Sequence, residues 1–376
     1  MQAQLIPTPA PDPRLSWSTI AIQFGVALVL CAPALLHLGV ALPGAPGMSD
    51  LPGTVNYHWL VSEVGLGGLF QSQQLMYPAM VDRIVLDGVP LDALASMPFT
   101  ALFGWPGGFT VFCFACFLAL GLAHALLARA WWGSPTAAAV AGVVAQCSPF
   151  LIQELTGGRL TQIFGAIFLP LTLYFLLSSM TRSCAKTGLL AGMCMGLGTL
   201  AYWYYGVFFG LVVLTVMSAA WRSGGALRSV FLAFGLGLAV VVVGPIIHTF
   251  SSINDVPGIG TAWADGVAHG GNLLSLTEIL EHRDLGARVL SDAVLAPQLV
   301  VAVLMVLTLR HQQRARWLLP GVWLVMALLF AAGPTISILG LIDVPGPFRL
   351  FQAAPFLRRL WWPDRALVML VPAMAL

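Results

Sequence analysis

Arg228-Ser-Val-Phe-Leu-Ala-Phe-Gly-Leu-Gly-Leu-Ala-Val-Val-Val-Val-Gly-Pro-Ile-Ile-His-Thr-Phe250 decides the fold. After Arg228 this run holds no Asp, Glu, Lys or Arg. A helix needs about 20 apolar residues to cross the hydrocarbon core of a bilayer. It also satisfies its own backbone hydrogen bonds where no water can. Outward from this stretch, further candidate spans lie at roughly 17–40, 108–128, 135–152, 161–180, 187–202, 204–221, 294–310 and 317–333. Another begins near Ala366 and reaches only Leu376, too short to cross, so the chain is expected to end inside a helix. The expected fold is all-α: a polytopic transmembrane helical bundle of about ten spans. It forms one domain over 17–376, preceded by a tail at 1–16 rich in proline and polar groups.

Composition supports the same class. Hydrophobic residues make up 59% of the 376 residues and charged residues 9%, against roughly 25% charged in a soluble domain. So little charge cannot cover a water-exposed surface, because exposed apolar area is unfavourable in proportion to its extent. No nucleic-acid partner is expected; membrane lipids are. The six cysteines fall mostly inside apolar runs. Cys113 and Cys116 have CxxC spacing on an apolar helix, where packing is the simpler reading.

Charge orients the bundle. With the N-terminus in the cytoplasm, the inner segments hold Arg14, Arg129, Arg182, Lys186, Arg222, Arg228, Arg310, Arg314 and Arg316 against the single acid Asp12. Basic residues confined to short turns on one side follow the positive-inside rule. The remaining acids lie on the other side, mostly in three long outer loops at about 41–107, 251–293 and 334–365. Tyr57-His-Trp-Leu-Val-Ser-Glu-Val-Gly-Leu66 places apolar residues at the spacing of a helix lying on the membrane surface. Phe348-Arg-Leu-Phe-Gln-Ala-Ala-Pro-Phe-Leu-Arg-Arg-Leu-Trp-Trp362 mixes arginines with aromatics, as at a headgroup layer. Gly188, Gly192 and Gly196 recur every four residues, which lets a neighbouring helix approach closely. Pro149, Pro170, Pro245 and Pro320 sit in or beside spans and are expected to bend them.

The spans lack mid-membrane Asp, Glu, Lys and Arg; His37, His124 and His248 are the main ionisable exceptions. This argues against an ion-driven transporter, which needs intramembrane charge. Polar chemistry therefore concentrates at the outer face. Asp50, in Gly47-Met-Ser-Asp-Leu-Pro-Gly-Thr54, follows the first span by about ten residues, at the mouth of the bundle. Behind it come Asn56, His58, Glu63, Asp82, Arg83, Asp87 and Asp92, each equally explained as a solvated loop residue or helix cap. The turn Glu154-Leu-Thr-Gly-Gly-Arg159 sets Glu154 beside Arg159, where a rim salt bridge is the plain reading. Arg349, Arg358, Arg359 and Arg365 form a group suited to a lipid phosphate, because guanidinium is a planar fork of donors; simple interfacial anchoring explains them as well. His269, in Ala268-His-Gly-Gly-Asn272, lies on the long loop and could join. No phosphate-cradling glycine loop, zinc-protease motif, nucleophile elbow or zinc spacing occurs.

The order of Leu75-Met-Tyr-Pro78, Gly104-Trp-Pro-Gly-Gly-Phe109, Ala137 to Phe150, Gly157-Gly-Arg159, Phe168-Leu-Pro-Leu-Thr-Leu173, Ala332-Gly-Pro334 and Pro355-Phe-Leu-Arg-Arg-Leu-Trp-Trp-Pro-Asp-Arg365 resembles the C-type (GT-C) membrane glycosyltransferase superfamily, in its bacterial branch. The likeness covers most of the chain through short motifs. It implies an enzyme of the bacterial inner membrane and cell envelope that moves a sugar from a polyprenyl-phosphate carrier to an acceptor on the extracytoplasmic face. It implies Asp50 as the base. Many members carry two adjacent acids there; Asp50 stands alone between Ser49 and Leu51, which calls on Asp82, Asp87 or Glu154 for the second carboxylate. His58, Arg159, His269, Arg349, Arg358 and Arg365 are the candidate substrate-binding residues. A divalent metal, Mg or Mn, could assist, although the sparse acids near Asp50 do not suggest a closed cage. Two other readings stay open: a transporter or lipid flippase, and a non-catalytic membrane scaffold.

Overall fold

The computed structural model of this chain describes residues 14–40, 42–44, 51–65, 91–222, 228–252, 315–331, 333–338, 342–353, 357, 360 and 363–376. The architecture there is a helical bundle with one small hairpin. Six helical segments are long and apolar enough to cross a membrane: Trp17–Leu35, Gly107–Trp132, Pro135–Thr156, Leu160–Arg182, Trp203–Trp221 and Arg228–His248. The candidate span at 294–310 lies outside the described residues.

Helix α1 (Trp17–Leu35) starts where the Ser16 hydroxyl accepts from the Thr19 amide at 3.2 Å, an N-cap that satisfies an otherwise orphaned donor. It buries Thr19, Gln23, Ala27, Cys31 and Ala34, a stripe one helical turn apart. Its other faces expose Ile22, Phe24, Leu28 and Val29. Helix α2 (Leu51–Val64) packs on α3 (Leu91–Phe103), which packs on α4 (Gly107–Trp132). Helix α4 ends at Gly133, whose φ of 73° is the left-handed conformation that glycine adopts without penalty.

From there the chain turns back through α5 (Pro135–Gln146) and α6 (Pro149–Thr156), then α7 (Leu160–Ala166) and α8 (Phe168–Arg182). Each of these two crossings is one apolar run broken once, at Cys147–Ser148 and at Ile167. Pro149 does not kink a helix; it opens α6, where its missing N–H costs nothing.

Helices α9 (Ala185–Ala201), α10 (Trp203–Arg222) and α11 (Arg228–Ser252) follow. The four-residue glycine spacing of α9 meets α11. A Cβ on Gly192 would stand 2.0 Å from Phe234 O, and one on Gly237 would stand 2.1 Å from Leu189 O. The two backbones therefore touch where only glycine fits. On its far side α11 exposes Leu232, Leu236, Val240, Val243 and Ile247. An apolar stripe of that length suits lipid and not water.

Helix α12 (Leu318–Ala331) is tied to α10 by Trp323 Nε1 donating to Thr215 Oγ1 at 2.8 Å. After it, β1 (Thr335–Ile338) and β2 (Ile342–Pro345) pair antiparallel. Helix α13 (Arg349–Ala353), a 3-10 segment (Pro363–Met369) and α14 (Leu370–Ala375) complete the described chain. The last run packs against α5 and α12.

Inside the bundle two amides hold three helices together. Gln23 and Gln146 are both 0% exposed. Gln23 Nε2 donates to Ala139 O at 2.9 Å, and Gln146 Nε2 donates to Gln23 O at 3.1 Å and Phe117 O at 2.9 Å. Gly121 and Gly142 make the room: a Cβ on either would stand within 2.6 Å of one of these side chains. Polar side chains bonded across helices are a recurrent device of membrane bundles.

Candidate functional site

The described part of the site begins with a turn. Helix α6 ends at Thr156, and Gly157 and Gly158 (φ 72°) reverse the chain so that the Arg159 amide donates to Glu154 O at 2.8 Å. A Cβ on Gly157 would come within 3.2 Å of Arg159 Nη1, so the glycine also leaves space for the guanidinium. Arg159 Nη1 meets Glu154 Oε2 at 3.5 Å. The other carboxylate oxygen, Oε1, accepts from Nη1 of Arg365, at the head of the last helical run. Glu154 is 2% exposed and Arg365 3%, while the Arg159 side chain stays 24% exposed. Two guanidiniums on one carboxylate leave the cluster with one positive charge in excess. Its most accessible member is Arg159.

A second cluster lies one turn along. Helix α7 starts just after Arg159, and its Thr161 hydroxyl donates to Asp92 Oδ2 at 2.8 Å. The same oxygen lies 3.3 Å from His58 Nε2. His58 Nδ1 is 2.8 Å from Ser96 Oγ, and that hydroxyl donates to Ala93 O at 2.7 Å. With the serine proton so directed, both ring nitrogens of His58 act as donors, the pattern of the doubly protonated ring. The ring is packed edge-on against Phe109, with centroids 4.8 Å apart. Burial pushes the Asp92 carboxyl up. The hydrogen bond and charge of His58, with the Thr161 and Ala93 hydrogen bonds, outweigh this and hold it below its ordinary value.

These placements sort the sequence candidates. The structure brings together Glu154, Arg159 and Arg365, and it joins His58 to Asp92. Neither His58 nor Asp92 is the solvated loop residue that its position in a long loop suggested; both are buried. Arg349 stands exposed at the start of α13. Asp50, Asp82, Asp87, Arg83, His269, Arg358 and Arg359 lie outside the described residues. Sequence reasoning missed Ser96 and Thr161, which look like ordinary helix residues. It also missed Gln23 and Gln146, whose only signal is a lone amide in an apolar run. Among the described residues no three His, Cys, Asp or Glu side chains converge, so this part offers a metal no ligand set.

The helices and their exposed apolar faces define a multi-span helical membrane protein. No protein-family model, curated protein or solved structure matches the chain.

Proposed function

We propose that the protein is a membrane glycosyltransferase that moves a sugar from a polyprenyl-phosphate carrier to a hydroxyl acceptor at the extracytoplasmic face. The observation that carries this reading is the Glu154–Arg159–Arg365 cluster. It gathers two guanidiniums at the end of the bundle where a lipid-borne phosphate would lie, and only one carboxylate answers them.

In this reaction the acceptor oxygen attacks the anomeric carbon. The bond from that carbon to the phosphate oxygen breaks, and the acceptor's proton passes to a base. The departing phosphate gains negative charge, which preplaced guanidiniums stabilise more in the transition state than in the ground state. Arg159 touches the phosphate. Arg365 reinforces it from behind, and Glu154 positions both. Because its two oxygens are taken by guanidiniums, Glu154 leaves the base role to Asp50, the acid that follows the first span. The apolar carrier tail rests against the bundle's lipid-facing helices. Holding both substrates at one surface supplies the proximity the reaction needs.

The test is Asp50→Asn in proteoliposomes supplied with a polyprenyl-phosphate sugar. A general base contributes roughly 10²–10⁴ in rate, so transfer is expected to fall at least a hundredfold while insertion is unchanged. Full transfer by this variant removes Asp50 from the mechanism and with it the enzymatic reading.

A further inference from the structure

A second basic site sits at the other end of the bundle. A cleft of about 210 Å³ is lined by Arg14, Ser16 and Thr19 at the start of α1, Arg129 in the last turn of α4, and Pro135 and Ala138 in the first turn of α5. The segment Pro135–Thr156 separates it from Glu154 by 22 residues, about 30 Å along a helix. It is therefore a site distinct from the cluster described above.

Three features of the cleft point to one ligand chemistry. First, two guanidiniums line it and no carboxylate does. Second, the N-termini of α1 and α5 both open onto it, and each helix N-terminus carries roughly half a positive charge on its unbonded amides. The C-terminus of α4, which would oppose them, is covered by Arg129 Nη1 donating to Gly133 O. Third, the Arg129 Nε is buried and has no hydrogen-bond partner among the described residues. A buried donor without a partner costs free energy that a ligand oxygen would recover.

We infer that this cleft binds a phosphate group, held by Arg14 and Arg129 at the ends of α1, α4 and α5. Its position at the end of spanning helices puts it at headgroup depth. The phosphodiester of an anionic phospholipid supplies that chemistry there, and free inorganic phosphate shares it. Guanidinium and phosphate match as planar fork to tetrahedral oxygens. An ammonium-masked zwitterionic headgroup brings no net charge and is a poorer match.

The experiment is a native mass-spectrometry titration of the full chain, using phosphatidylglycerol, phosphatidylcholine and inorganic phosphate as separate probes. Wild type is expected to retain one phosphatidylglycerol in preference to phosphatidylcholine. A basic residue near an anionic surface contributes enough that each arginine is worth about five-fold in retention. Arg14→Gln, on an exposed side chain that cannot unfold the bundle, is expected to weaken retention about five-fold. Arg14→Gln with Arg129→Gln is expected to weaken it about 25-fold. If inorganic phosphate binds and displaces the lipid with the same arginine dependence, the phosphate site stands and its source is the free anion. If Arg14→Gln and the double variant both retain phosphatidylglycerol as wild type does, the site is overturned.

Discussion

Two buried polar clusters sit at the ends of the same short helix, α7, and they are built on opposite principles. Around Asp92 every charge is answered: one imidazole, one carboxylate and two hydroxyls close on one another. Around Glu154 the charges do not balance: one carboxylate faces two guanidiniums, and one of these reaches the surface. A closed cluster gains nothing from a further partner and acts as a clamp, here fixing α2 to α3 and α7. An open cluster carries a standing demand for an anion. The difference teaches which of two equally buried polar groups belongs to the fold and which belongs to a ligand.

Three substitutions sharpen this contrast, and the largest effect is expected from Arg365→Ala. Removing one partner of a buried pair leaves the other charge uncompensated, at a cost of about 3–5 kcal/mol. Thermal unfolding in detergent reads this directly, and a stability loss under about 1 kcal/mol would mean the pair is not buried in the membrane-embedded protein.

Asp92→Asn comes next, with a loss of about 1–3 kcal/mol from donors left unpaired. It also carries a pH signature. The Asp92 carboxyl is held below its ordinary value in the fold. Its stabilisation is therefore complete above the unfolded value, about 4, and is lost as pH falls through the folded one. Wild type should lose this contribution on acidification and the asparagine variant should not, so their stabilities converge at low pH. Parallel stability curves across that range would show that Asp92 is not held in an ionic clamp.

The smallest stability effect belongs to Arg159→Ala, at or below about 1 kcal/mol, because a partly exposed ion pair is screened by water. Arg159 and Arg365 contact the same carboxylate, yet they are expected to differ several-fold in what their loss does to the fold. Equal losses would erase the distinction between them.

Much of the architecture was legible in the apolar runs, because crossing a bilayer demands length and hydrophobicity that few other contexts demand. Six of the expected spans appear as long helical segments. The breaks at Cys147–Ser148 and Ile167 were not legible, since no feature of hydropathy marks them. Within the site, Glu154 and Arg159 could be read together because five residues and a glycine pair separate them. Arg365 meets Glu154 across 211 positions, a pairing that periodicity cannot reveal. His58 and Asp92 were each visible as ionisable residues, but their partnership depends on α2 packing on α3. Reading them singly made both look solvated.

The open cluster around Glu154 is the centre of the functional account, and its accessible arginine offers the most direct measurement. Polyprenyl phosphate is titrated against purified wild type and against Arg159→Ala, a variant whose fold is expected to survive. A hydrogen bond to a charged group is worth about 1.5–3 kcal/mol, so the expected result is at least a tenfold loss of affinity. Equal affinity in the two proteins would contradict the assignment of this cluster to a lipid phosphate.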